Sequence, residues 1–370
     1  MRILVAASGG EGHLGPLLPF VDAAAEAGDD VTLVVPPGQV ATARSTGADV
    51  RVVDAPPADE VARVRRALAS SDREVRVRAA EVELFGRINT AAALEKTVAA
   101  VADVEPELIL REPCDYASAI AAVRSAVPVA TVGISPGLAD ISGLRMASRV
   151  IEDYAPGVTT TLEAAPYLTR FPGDDPTGYP DTRRYGFTID LDARTEQNPP
   201  LVWLTMGTVN TQLENIRGTW DAAVTALADL DVRVLASTGR GGSTVRGTDR
   251  MEVVDWVELQ DILSRASVVV CHGGSGTTLA TLAAGVPLVT VPMIADQPTN
   301  AAMVESLGAG ITVAPNSPAA GLTVEDAPRL RRAIHDVLTD PSYRSSARRA
   351  AASFSEVPSV SERLAQLRLT

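Results

Sequence analysis

The sequence predicts an α/β protein made of two domains with parallel sheets, and three observations carry that expectation. A strand, a glycine-rich turn and a helix follow one another at Arg2–Ala27, and the same unit returns at Val268–Ala284 before a further strand at Val286–Val291. Apolar residues make up 46% of the chain while aromatic residues are only 4%, so the core is aliphatic, as sheets covered on both faces require. At 370 residues the chain exceeds one ordinary domain and suits two.

Bulk charge excludes several classes of partner. A net charge of −13 argues against nucleic acid and against an anionic membrane surface. No apolar run is long enough to span a bilayer, and Met1 leads directly into a strand rather than a signal peptide. The two cysteines, Cys114 and Cys271, lie in different halves and offer neither a disulfide framework nor zinc spacing, which fits a reducing cytoplasm. An anionic ligand would have to be held by local donors against the overall field.

The first strand, Arg2–Ala7, runs into a turn at Gly9–Gly15, with a helix expected from about Pro16 to Ala27. Gly10, Gly12 and Gly15 spell the dinucleotide fingerprint, which also demands an acid at the tip of strand two. That strand, Val31–Val35, ends in Pro36-Pro37-Gly38 with no acid, so a nicotinamide or flavin enzyme is disfavoured. His13 is the unusual residue of the turn, placed where a strand finishes and bulk is kept away. Asp59–Ala102 reads as helices, Glu107–Arg111 as a strand, and Glu112 and Asp115 follow it, Asp115 in the place of a helix cap. Pro128–Val132 is the next strand, and Gly133–Ser142 reads as a loop holding Asp140.

Pro156–Pro200 is rich in Pro, Gly, Asp and Thr and reads as the linker, with a short strand near Arg184–Phe187. The α/β alternation then restarts: strand Leu201–Thr205, turn Met206-Gly207-Thr208, helix Leu213–Leu230, strand Val232–Ala236 and strand Met251–Val254 leading to Trp256 and Val257. Asp190-Leu191-Asp192 and Asp229-Leu230-Asp231 are D-x-D strings, of the kind chance supplies in an acidic chain. The stretch after Val268 is the most informative. His272, Gly274, Ser275, Gly276 and Thr277 place glycines and hydroxyls where a helix begins, and backbone N–H groups there have no partner and face outward along the helix dipole. This is a phosphate cradle. Asp296 and Gln297 follow the next strand, on the side where α/β sheets bind ligands.

Taken together, these motifs resemble the nucleotide-sugar signature of GT-B glycosyltransferases, family 1, of the kind that decorates bacterial natural products. The resemblance implies two Rossmann-like domains facing across a cleft: residues 1–190 for the acceptor, 191–350 for the donor, and 351–370 crossing back as a C-terminal helix. It implies that His13, within Gly12-His13-Leu14-Gly15-Pro16, is the general base and that Glu112 is its carboxylate partner, with Asp115 and Asp140 as alternatives on the acceptor side. For the donor it implies Gly207, Thr208, Trp256 and Val257 around the nucleotide, the cradle residues on the diphosphate, and Asp296 with Gln297 on the sugar. The W-V-P-Q string expected at the base-binding loop is here Trp256-Val257-Glu258-Leu259-Gln260, which leaves the base open. The implied reaction is inverting and needs no metal or other cofactor. The donor is expected to be a dTDP-deoxysugar, with a UDP-sugar as the alternative, and the acceptor a small hydrophobic aglycone; a homodimer is admitted. A nucleotide-sugar 2-epimerase and a non-catalytic partner of another transferase are the rival readings.

Overall fold

A computed structural model describes residues 1–68, 70, 72–172, 177–191, 195, 197–207, 214–239, 247–316 and 321–368. Two units share the chain: residues 1–186 with 357–370, and residues 187–356. The first boundary thus falls at Gly186–Phe187 rather than at 190, and the return at Glu356–Val357 rather than at 350.

The first unit is a parallel sheet whose described strands run β3-β2-β1-β4-β5-β6-β7. These are β1 Arg2–Ala6, β2 Asp30–Val35, β3 Asp49–Val52, β4 Leu108–Arg111, β5 Val129–Val132, β6 Tyr167–Thr169 and β7 Thr182–Arg184. Side chains alternate across β1, and both faces are covered. Ile3 and Val5 pack with Phe20 and Val21 of the helix Leu18–Glu26, while Leu4 and Ala6 pack with Tyr116 and Ile120 of the helix Tyr116–Ser125. The order reverses between β1 and β4, the place where such sheets bind ligands. The helix Val360–Leu367 lies on Leu18–Glu26 and buries Leu364 and Leu367. It is tied down by Arg363 Nε donating to Arg184 O at 2.5 Å and by an ion pair between Arg368 and Asp29.

Two expectations need correction here. The stretch 156–200 is not a linker throughout: the helix Val158–Ala164 and strands β6 and β7 fall inside it. Val158, Leu162, Tyr167 and Leu168 are buried, because proline and glycine punctuate these short elements without removing their apolar positions. Gly133–Ser142 is likewise not a loop, since a helix covers Gly137–Glu152 and includes Asp140.

The second unit holds a parallel sheet ordered β10-β9-β8-β11-β12-β13. Its strands are β8 Leu201–Thr205, β9 Arg233–Ser237, β10 Met251–Val254, β11 Val268–Cys271, β12 Leu288–Thr290 and β13 Gly310–Thr312. Val202, Leu204, Val268, Val270 and Val289 form an aliphatic core with Trp220 and Ile334. Thr205 pairs with Cys271, and Cys271 with Thr290, so the segments leaving these three strands emerge side by side. No described helix is long and apolar enough to cross a membrane.

Candidate active site

The first unit places His13 and Glu112 together. β1 and β4 are neighbours with Ala6 opposite Arg111, so Ser8 and Glu112 leave the sheet at the same level. Gly10 is extended and starts a one-turn helix, Glu11–Leu14, followed by a tighter turn at Gly15–Leu17 and the helix Leu18–Glu26. His13 therefore sits inside a helical turn, earlier than the expected start at Pro16. An acid at Glu11 in the first turn suits the positive end of that helix. Gly9 leaves no room for a larger residue: a Cβ there would lie 2.3 Å from His13 Cδ2.

His13 Nδ1 is 3.1 Å from Glu112 Oε2, off the straight line of an ideal hydrogen bond. Glu112 is fully buried and well supplied with donors. Its Oε1 accepts the Ser8 N–H at 3.0 Å and the Ser8 hydroxyl at 2.8 Å, and its Oε2 accepts the Cys114 N–H at 2.7 Å. Burial alone would raise the carboxyl, but the His13 charge and these hydrogen bonds bring it down to about 2. Burial alone would lower the imidazole, and the Glu112 charge and contact more than offset that, leaving it above 6.5. A carboxylate that stays charged thus faces a histidine whose basicity it raises, with the ring still 19% exposed.

Other acids stand near. Asp115 is buried and caps the helix Tyr116–Ser125 through the Ser118 N–H at 2.9 Å, the structural role its position suggested. Asp140 is buried and accepts from the Tyr167 hydroxyl at 2.7 Å and from the Ile134 N–H at 3.2 Å; burial pushes it up to about 8. Glu81, on the wide π-helical stretch Ala79–Asn89, is pushed up to about 7 by burial, against the His13 charge and with the Glu112 charge.

In the second unit, Gly274 is the extended residue before the helix Ser275–Ala283, and no side chain caps that end. The Ser275, Gly276 and Thr277 N–H groups are therefore the free donors of a helix start. His272 lies beside them, walled by glycines: a Cβ on Gly207 would come 2.6 Å from its ring, and one on Gly274 2.4 Å. Its Nδ1 is buried with no partner among the described residues, and burial lowers the imidazole to about 4. His272 is therefore neutral at pH 7 and keeps one ring N–H to donate. Thr208 lies outside the described residues.

Asp296 and Gln297 come at the start of the helix Gln297–Ser306, after Ala295 in a left-handed conformation (φ +52°). Asp296 Oδ2 accepts from the Ser275 hydroxyl at 2.5 Å and from Asn300 Nδ2 at 2.8 Å. Gln297 is turned inward, its Oε1 accepting the Met293 and Ile294 N–H groups at 2.8 and 3.0 Å, which leaves only its NH2 for other partners. Trp256 is 43% exposed beyond β10 with its N–H donated to Glu258 Oε1, and Val257 follows it. Of the D-x-D strings, Asp229 pairs with Arg331 and Asp231 with Arg250, and Asp192 lies outside the described residues.

Comparison with known proteins then decides the class. Residues 221–368 match the family of the erythromycin biosynthesis protein CIII-like C-terminal domain. The elloramycin glycosyltransferase of Streptomyces olivaceus is 27% identical over 410 aligned residues, covering 99% of this chain and 97% of that protein. The glycosyltransferase SnogD from Streptomyces nogalater superposes with a TM-score of 0.75 at 24% identity, over 100% of this chain and 99% of that one. The Streptomyces sp. SF2575 glycosyltransferase complexed with thymidine diphosphate superposes at 0.73 and 22% identity, with both chains fully covered. The chain is a glycosyltransferase of the GT-B fold.

Three residues that touch or lie near the candidate site residues of this glycosyltransferase were not legible in the sequence. Ser8 carries no signal beyond lying next to the glycines. Glu81 is one acid in a long Arg- and Glu-rich helical stretch. Asn300 stands four residues after Asp296, one helical turn on, a spacing that marks a shared face but names no partner.

Proposed function

We propose that this enzyme moves a sugar, with inversion, from a dTDP-sugar to a hydroxyl of a small hydrophobic natural product in the cytoplasm, without a metal. The His13–Glu112 pair carries the reading: a histidine held more basic by a buried carboxylate suits removal of a proton from an acceptor hydroxyl. In the proposed step the acceptor oxygen bonds to the anomeric carbon as that carbon's bond to the diphosphate oxygen breaks, and the proton passes to His13. His272 and the start of the helix Ser275–Ala283 offset charge growing on the departing diphosphate. Asp296, with the Gln297 NH2, orients the sugar. Trp256 and Val257 with Gly207 form the nucleotide side. The thymidine diphosphate complex of a fold neighbour supports a thymidine donor over UDP, and the elloramycin relative supports an antibiotic-like acceptor. Two free thiols, Cys114 and Cys271, support a reducing compartment.

The test is release of dTDP or UDP from donor sugars with and without a panel of aromatic polyketide acceptors. Release that requires acceptor, falling by roughly 10²–10⁴ in His13→Ala, supports the reading. Release without any acceptor supports the epimerase reading instead.

A further inference from the structure

Asn300 is fully buried, and its NH2 is surrounded by acceptors: Gly273 O at 2.8 Å, Ser275 Oγ at 3.0 Å and Asp296 Oδ2 at 2.8 Å. Two N–H bonds serve three acceptors, so one is shared. The Ser275 hydroxyl sits on the edge of the cradle, yet its single proton is given to Asp296, at 2.5 Å. Asn300 Oδ1 is buried with no donor among the described residues. The cradle and the sugar-side carboxylate are thus one network rather than two sites, and within it the cradle's hydroxyl donates to the carboxylate.

We propose that Ser275, Asp296 and Asn300 form a hydroxyl switch: filling the cradle with a diphosphate turns the Ser275 proton to the phosphate and frees Asp296 for the sugar. The inference rests on the donor-site reading above. No covalent bond changes. The Ser275 O–H exchanges one anionic acceptor for another, and Asp296 Oδ2 regains a lone pair for a sugar hydroxyl. The shared Asn300 N–H holds both oxygens in place through the exchange, which makes Asn300 a positioning residue. The chemistry favours an intact nucleoside diphosphate sugar over its parts, because the carboxylate is fully available only once the diphosphate is bound.

Calorimetric titration of the full chain with dTDP tests this without knowledge of the sugar. Removing the carboxylate with Asp296→Ala frees Ser275 for the phosphate, so dTDP should bind about three- to tenfold tighter, the net worth of one hydrogen bond. Ser275→Ala should weaken dTDP, and in that background Asp296→Ala should change nothing. Asp296→Asn, which keeps the side chain's shape, should move affinity the same way by less; melting curves establish that each variant is folded. Equal tightening with and without Ser275 would show simple charge repulsion and overturn the switch, as would no tightening at all. Failure of the unaltered chain to bind any nucleoside diphosphate would overturn the donor-site reading itself and the switch with it.

Discussion

His13 Nδ1 lies 3.1 Å from Glu112 Oε2, and the carboxylate that faces it is held by three further donors from Ser8 and Cys114. Glu112 therefore cannot turn away, and its charge acts on the ring. Replacing it with glutamine keeps the shape and removes the charge. Burial then dominates, and the His13 pKa falls from above 6.5. A general base works once deprotonated, so the acid limb of kcat/KM against pH should move to lower pH in Glu112→Gln. The plateau should fall as well, by roughly 10–10³-fold, since the ring is a weaker base and loses its orientation. A profile with an unmoved acid limb would show that another group titrates.

Asp140 gives a prediction about stability. Its carboxyl is pushed up to about 8 by burial, whereas an unfolded aspartate titrates near 3.8. Between those values the folded chain holds a proton that the unfolded chain has lost, so this group's contribution to stability falls as pH rises from about 4 to about 8. Asp140→Asn offers the Tyr167 hydroxyl an uncharged oxygen and nothing to ionise. Its melting temperature should decline less between pH 5 and 9 than that of the parent, and should exceed it at the alkaline end. Glu81, pushed up to about 7, contributes a decline of the same sign that remains in the variant. Calorimetry across this pH range checks the difference.

Metal dependence follows from where the carboxylates lie. Asp229 and Asp231 are engaged by Arg331 and Arg250 on the surface. The one described group with metal-ligand chemistry is His13, Glu112 and Cys114, and its carboxylate already serves several hydrogen-bond donors. A cation there would compete with the proposed base rather than help the diphosphate. Turnover should survive EDTA unchanged. A loss restored by Mg²⁺ or Mn²⁺ would replace the proposed use of protein donors with a metal-assisted departure.

What the sequence revealed and what it hid divide along physical lines. β-branched runs ending in glycine turns have one sensible structure, so β1, β8 and β11 with His13, Gly207 and His272 at their ends were legible. The pairing of His13 with Glu112 came from family resemblance, because the 98 residues between them carry no local signal. Positions defined by composition fared worst: the Pro-, Gly- and Thr-rich stretch 156–200 hides Val158, Leu162 and Tyr167, three buried anchors of the first unit. Asp140 reads as a loop residue only until its helix is seen to bury it against Tyr167. Side-chain networks such as Ser275–Asp296–Asn300 depend on two helix starts meeting in space, which periodicity cannot report.

The firmest prediction concerns His272. Its ring is buried, neutral at pH 7 and lacking a partner for Nδ1 among the described residues, and it lies close against Gly207 and Gly274. A hydrogen bond to a charged phosphate is worth about 1.5–3 kcal/mol, so His272→Ala should weaken dTDP by roughly 10–150-fold. Gly274→Ala reaches the same ring from outside. The backbone at Gly274, φ −64° and ψ 143°, suits alanine without strain, yet the new Cβ would stand 2.4 Å from His272 Nε2. It must therefore displace the imidazole and should weaken dTDP by a similar factor. Because both changes act through one ring, the double variant His272→Ala with Gly274→Ala should bind dTDP no more weakly than His272→Ala alone. Additive losses in a calorimetric double-mutant cycle would mean that Gly274 serves the phosphate through its own backbone and that His272 contributes separately.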